Sequence, residues 1–190
     1  MRGTFIGVYW SARADEISHC TAKAMTHFQL LSDADEGLKR WFRLGRRRPK
    51  ISDEVDVTSG EAVRRRWSAN RKDIDRSIIP ELGWTLSLWN GEMNGLSAGT
   101  GLYCGATSKY VSNCATLSIS GESIRSIDDN SAIELLKEFV ELWDADRGVA
   151  HHVISAEEQI EIASYERRRW PMLRPGNAVR HARGYIRLAG

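Results

Sequence analysis

WTLSLWNGEMNGLSAGTGLYCGATSKYVSNCATLSIS, running from Trp84 to Ser120, is the stretch on which the fold turns. Over Trp84–Trp89 the side chains alternate, Trp84, Leu86 and Leu88 against Thr85, Ser87 and Trp89, the period of a half-buried strand. The turn formers Asn90-Gly91-Glu92-Met93-Asn94-Gly95 lead into a second strand over roughly Ser97–Ala106. Ser108–Ser112 loops into a third, Asn113–Ser120, which sets Ala115, Leu117 and Ile119 against Cys114, Thr116 and Ser118. Connections this short predict an antiparallel meander.

Working outward toward the N-terminus, Thr4–Trp10 is rich in aromatic and β-branched residues and reads as a strand. Arg2, Phe5–Trp10 and Ala12-Arg13-Ala14 imitate an export signal, but the apolar run is short and built of Gly, Tyr, Val and Trp, so the strand reading prevails. A helix over Ala14–Leu31 follows, with Ile17, Cys20, Ala24, Phe28 and Leu31 on one face. Asp33–Glu36 predicts the start of a second helix, with Leu38, Trp41 and Phe42 as its apolar side and Gly45 as its C-cap. Thr58-Ser59-Gly60-Glu61 fits a capping box ahead of a short basic helix. Pro80 and Gly83 then break the chain.

Toward the C-terminus, Ser131-Ala132-Ile133-Glu134 reads as a capping box. The helix it opens carries a stripe of Ile133, Leu136, Val140 and Trp143 and ends at Gly148. A strand over Val149–Ile154, a helix capped at Ser155 and an arginine-rich tail of strand and turn complete the chain. With no repeat, linker or low-complexity segment, the expectation is one α+β domain over residues 1–190, a mostly antiparallel sheet covered by helices.

At 42% apolar residues, seven of them Trp, 190 residues are enough to bury a core. The net charge is only +2, which argues against a chain that binds nucleic acid by its overall field. The charge is segregated, however. Lys39–Arg76 holds thirteen Lys/Arg against six Asp/Glu, Asp128–Glu161 ten Asp/Glu against two Lys/Arg, and Tyr165–Gly190 seven Arg against one Glu. Cys20, Cys104 and Cys114 fit neither a disulfide framework nor a zinc site, so reduced, buried thiols of a cytosolic protein are expected. No stretch approaches a transmembrane span.

Each candidate for chemistry meets an obstacle. Gly95-Leu96-Ser97-Ala98-Gly99 matches a nucleophile elbow, but a turn precedes it and no helical periodicity follows. His19 and His27 lie two helical turns apart, and the adjacent His151 and His152 point to opposite faces of a strand. Asp128-Asp129 sits at a helix start, where capping accounts for it. No Walker-type phosphate loop is present. The expectation is a protein that is not an enzyme, with no catalytic residue, metal or cofactor. Arg46–Arg48, Arg64–Arg66 and Arg167–Arg169 could line a phosphate-binding surface, which keeps a nucleic-acid-binding or regulatory role as the alternative.

The acidic segment offers a different surface. Glu134, Glu138 and Glu141 recur at i, i+4 and i+7, away from the predicted core stripe, with Asp144 beyond them. Glu157, Glu158 and Glu161 add a second cluster. Together these seven are the candidate contact residues for a basic partner.

Several segments resemble the immunity protein 52 family of bacterial polymorphic-toxin systems. They are Phe5-Ile6-Gly7-Val8-Tyr9-Trp10 with Arg13 beyond, Trp41-Phe42, Leu82-Gly83-Trp84 leading to Leu88-Trp89-Asn90-Gly91, Cys104-Gly105-Ala106, and the strand opened by Asn113. Ser11 stands where the pattern leads one to expect glycine. The resemblance implies a cytoplasmic α+β protein that neutralises a cognate toxin. The resemblance further implies that this toxin is a nuclease of the restriction-endonuclease fold, delivered by a secretion apparatus such as the type VI system. No membrane or nucleic-acid partner is expected, and the free protein is expected to be a monomer.

Overall fold

The computed structural model describes residues 3–43, 50–69, 77–92, 97–120, 127–153 and 185–189. Its strands are β1 (Gly3–Trp10), β2 (Trp41–Arg43), β3 (Glu54–Val55), β4 (Ser68–Ala69), β5 (Trp84–Trp89), β6 (Ser97–Cys104), β7 (Asn113–Ser120), β8 (Arg147–Val153) and β9 (Tyr185–Ala189). They form one sheet in the order β3-β2-β5-β6-β7-β1-β8-β9. β4 adds to β5 through Thr85 and Trp84, while β2 pairs with its other end at Leu88 and Trp89. Every pairing among these strands is antiparallel. The predicted meander is β5-β6-β7, with the outer two strands bounded as the alternation places them. β1 lies between β7 and β8, so the N-terminal apolar run is a central strand, buried throughout.

Three α-helices accompany the sheet in the described residues: α1 (Ile17–Ala34), the five-residue α2 (Gly60–Arg64) and α3 (Asp129–Trp143). The main core joins alternate residues of the strands to the inner faces of the helices. Ile6, Val8 and Trp10 of β1 and Ala115, Leu117 and Ile119 of β7 share it with Cys20, Ala24, Phe28 and Leu31 of α1 and Leu135, Leu136, Phe139 and Trp143 of α3. The intervening strand residues build a smaller cluster of Phe5, Tyr9, Cys114 and Val149, against which Tyr103 packs.

Several local expectations give way. Asp33–Glu36 starts only a 3-10 turn and not the longer helix expected. α1 continues to Ala34, and the Asp35 carboxylate accepts from the Gly37 N–H to cap a 3-10 turn over Glu36–Leu38. Trp41 and Phe42 then lie in β2, both buried, as alternation in a strand covered on two faces allows.

α3 starts earlier than its Ser131 capping box, because Asp128 accepts from the Ser131 N–H at 2.8 Å. This hydrogen bond holds the Asp128 carboxyl below its usual range. The core stripe of α3 is Ala132, Leu135, Leu136, Phe139 and Trp143, with Ile133 and Val140 half-buried at its margins. The helix ends at Asp144, which takes the left-handed conformation (φ 48°, ψ 54°), and not at Gly148. Gly148 belongs to β8 at the point of closest approach to α3. A Cβ there would lie 2.8 Å from Leu136 Cδ1 and 2.9 Å from Val140 Cγ2.

The cysteine expectation is also corrected. Cys20 of α1 and Cys104 at the end of β6 are joined by a disulfide, with Cα atoms 6.2 Å apart. They are 84 residues apart in sequence, so no spacing pattern announces the pair. Cys114 is buried in the smaller cluster.

Candidate protein-binding surface

The segments that carry the family resemblance form the scaffold. Trp10 stacks on Trp143 with ring centroids 5.1 Å apart, fastening β1 to α3. Trp41 Nε1 donates to the Leu38 carbonyl, and Trp89 Nε1 donates to that of Arg43. The Asn90 side chain closes the β5 end, accepting from Ala98 N–H and donating to the Gly37 carbonyl. Asn113, fully buried, accepts from Ala106 N–H and donates to the carbonyls of Ala106 and Ser11. These residues are occupied with holding loops to strands.

Acidic groups dominate one exposed face. Glu134, Glu138 and Glu141 lie on the outer side of α3, opposite its buried stripe. Lys137 pairs with Glu134 at 2.6 Å. Glu138 and Glu141 are exposed and have no ion pair among the described residues. Asp144, with its side chain 85% exposed, continues the face at the helix end. Glu157, Glu158 and Glu161 lie outside the described residues.

At that end the charges interlock. Arg13 donates from Nη1 to Asp144 (2.9 Å), from Nη2 to the Trp143 carbonyl (3.0 Å) and from Nε to Asp15 (3.2 Å). The guanidinium also lies over the Trp10 ring. His19 Nδ1 is 3.0 Å from the other Asp15 oxygen, and Asp146 accepts from the Ser11 N–H. One arginine thus joins the C-terminal end of α3 to the loop between β1 and α1.

The residues weighed for catalysis have other surroundings. Ser97 opens β6 opposite Ser120, and a strand follows it in place of the helix an elbow requires. His27 is fully buried; its Nε2 faces Thr100 Oγ1 at 3.1 Å, and Trp143 Nε1 lies 3.5 Å from its Nδ1. Burial pushes its pKa down to about 3. His19 is at the surface on Asp15, and His151 is buried beside Phe5. Among the described residues no group of His, Cys, Asp or Glu has the arrangement of a metal site. No helix there is long and apolar enough to cross a membrane. Of the arginine runs, Arg64–Arg66 is described, at the end of α2 with Arg65 paired to Glu61; Arg46–Arg48 and Arg167–Arg169 lie outside the described residues.

A groove missed by sequence reading borders the charged junction. It encloses about 700 Å³ between the β1–α1 loop at Ala14–Glu16, the 3-10 turn Pro80–Leu82 with Ile78 before it, and the Trp84–Gly105 edge. Two glycines shape its wall. Gly83 (φ 64°) and Gly105 (φ 76°) take backbone conformations that suit residues lacking a Cβ, and a Cβ on Gly83 would lie 2.4 Å from the Cys104 carbonyl. Three segments far apart in sequence meet there, so no local pattern gives it away.

Among curated proteins none matches this chain. The family model of immunity protein 52 matches residues 3–169, reaching beyond the segments that carry the resemblance in sequence and taking in α1, α2 and α3. The chain therefore belongs to the immunity protein 52 family.

Proposed function

We propose that this immunity protein binds and neutralises a cognate nuclease toxin in the cytosol of the cell that makes both, using the acidic face of α3 as a principal contact. The observation that carries the reading is the outward row Glu134, Glu138 and Glu141, continued by Asp144, on a helix whose opposite side is locked into the core. A nuclease must present cations to a phosphodiester backbone, and a rigid row of carboxylates complements such a groove. Glu157, Glu158 and Glu161 extend the same charge in sequence and are proposed as contacts with it. The toxin is proposed to have the restriction-endonuclease fold and to be delivered by a type VI apparatus. No catalytic residue, cofactor or nucleic-acid ligand of the immunity protein enters this role.

Co-expression with the toxin encoded beside it tests the reading. Cells carrying the wild-type chain survive, and the two proteins co-purify. Reversing Glu134, Glu138 and Glu141 together to Lys slows association by about tenfold or more and flattens its salt dependence. Unchanged association of the triple variant removes α3 from the interface. Failure of the wild type both to protect and to co-purify removes the function.

A further inference from the structure

The groove beside Asp15 combines features that rarely share a surface. Its lining is mostly apolar: Ala14, Pro80, the half-buried Trp84 and Ile78, which is 51% exposed and one of few large aliphatic side chains so placed among the described residues. Three acids share the lining, the nearly buried Asp15 and the exposed Glu16 and Glu81, and among the described residues that line it there is no cation. Asp15 is already engaged by Arg13 and His19, but Glu16 and Glu81 are exposed and have no ion pair among the described residues.

An aromatic and aliphatic lining with carboxylates beside it suits one kind of occupant. A long side chain lays its methylenes against the apolar residues, its cationic end meets the carboxylates, and an indole face adds attraction for the cation. Arginine fits best, because a planar guanidinium stacks on the ring while its N–H groups reach two carboxylates. A phosphate backbone is repelled by three acids, which favours protein over nucleic acid.

We propose that this groove is the docking site for a basic loop of the protein partner, with an arginine side chain laid on Trp84 between Glu16 and Glu81. The proposal rests on the reading of this chain as a toxin-binding protein and adds a second contact to the acidic face of α3. Arg13 bridges the two, touching Asp144 on one side and Asp15 on the other. The division of labour follows from geometry. The open face of α3 attracts the partner from a distance and governs association, whereas a side chain sunk in a groove governs dissociation.

The test measures both rate constants for the full chain and the purified toxin encoded beside it. Three immobilised forms are compared: wild type, Glu16→Lys with Glu81→Lys, and Ile78→Lys. All altered side chains are at the surface, and matching thermal melts verify folding. Either groove variant is expected to raise the dissociation rate by about 30-fold or more, with association changed less than by the α3 triple reversal. Wild-type binding that both folded groove variants retain at an unchanged dissociation rate overturns the groove and leaves the proposed function standing. A wild type that does not bind the toxin overturns that function, and the groove proposal with it.

Discussion

The indole of Trp10, the last residue of β1, lies nearly parallel to that of Trp143, the last residue of α3, with 14° between their planes. Trp143 is fully buried and also approaches the ring of His27. This stack fixes the end of α3 against the central strand, which sets the helix rotation and leaves Glu134, Glu138 and Glu141 turned outward.

Replacing Trp143 with Ala is therefore expected to cost about 4 kcal/mol, the range found when large buried aromatics are truncated. Trp143→Phe keeps part of the stack and loses less. Denaturant unfolding of the two variants checks this, and a loss below about 1 kcal/mol for the alanine variant would contradict the role given to the stack.

His27 predicts the acid response. Trp143 Nε1 can only donate, so His27 Nδ1 is the acceptor and Nε2–H faces Thr100, whose hydroxyl donates onward to the Thr116 carbonyl. A second ring proton would face an N–H. With a folded pKa of about 3 against 6.5 unfolded, the unfolded chain binds the extra proton first. Stability from this group is present above pH 6.5 and drains as pH falls toward 3, by on the order of 2 kcal/mol at pH 5. Unfolding titrations at pH 7 and pH 5 on wild type and His27→Phe measure it, the variant showing the smaller difference.

The Cys20–Cys104 bond closes a loop of 84 residues, for which chain entropy alone gives about 4.5 kcal/mol. Reductant should lower the melting temperature of the wild type by roughly 9–18 °C and leave Cys20→Ser unmoved. Disulfides are rare in a reducing cytosol. Alkylation of the denatured chain straight from cells, read by mass, shows which form operates there. A wild type indifferent to reductant would remove the bond from the account of stability.

Asn113→Ala deletes one acceptor and two donors from a buried site and leaves the Ala106 N–H without its partner. The expected loss is about 3 kcal/mol. Asn113→Asp keeps the shape but points a carboxylate at two carbonyls, so it should not rescue. A midpoint for Asn113→Asp near that of wild type would show that the three hydrogen bonds carry little.

The meander from Trp84 to Ser120 could be read directly because each strand is long enough to show its alternation and each connection is short. Trp41 and Phe42 could not. Two adjacent aromatics suit a helix or a strand equally, and a three-residue element has no period to display. On α3 the phase slipped because Ile133 and Val140 space as well as Leu135 and Phe139. The approach of Gly148 at Leu136 and Val140, a tertiary fact, accompanies the true facing. The exposure of Glu134, Glu138 and Glu141 was legible, since charge resists burial without a partner. The groove was not, being assembled from three distant segments, and neither was the Cys20–Cys104 bond.

The place of β1 sets a clock on protection. Its neighbours on either side are β7 and β8, so this strand waits for residues 113–153 to be made before it can pair on both edges. Until then a segment ending in Val8, Tyr9 and Trp10 is without its native cover, and pairings this distant close slowly. A cell attacked while its immunity protein is still being translated gains little from unfinished chains. Protection by this architecture depends on a stock folded beforehand.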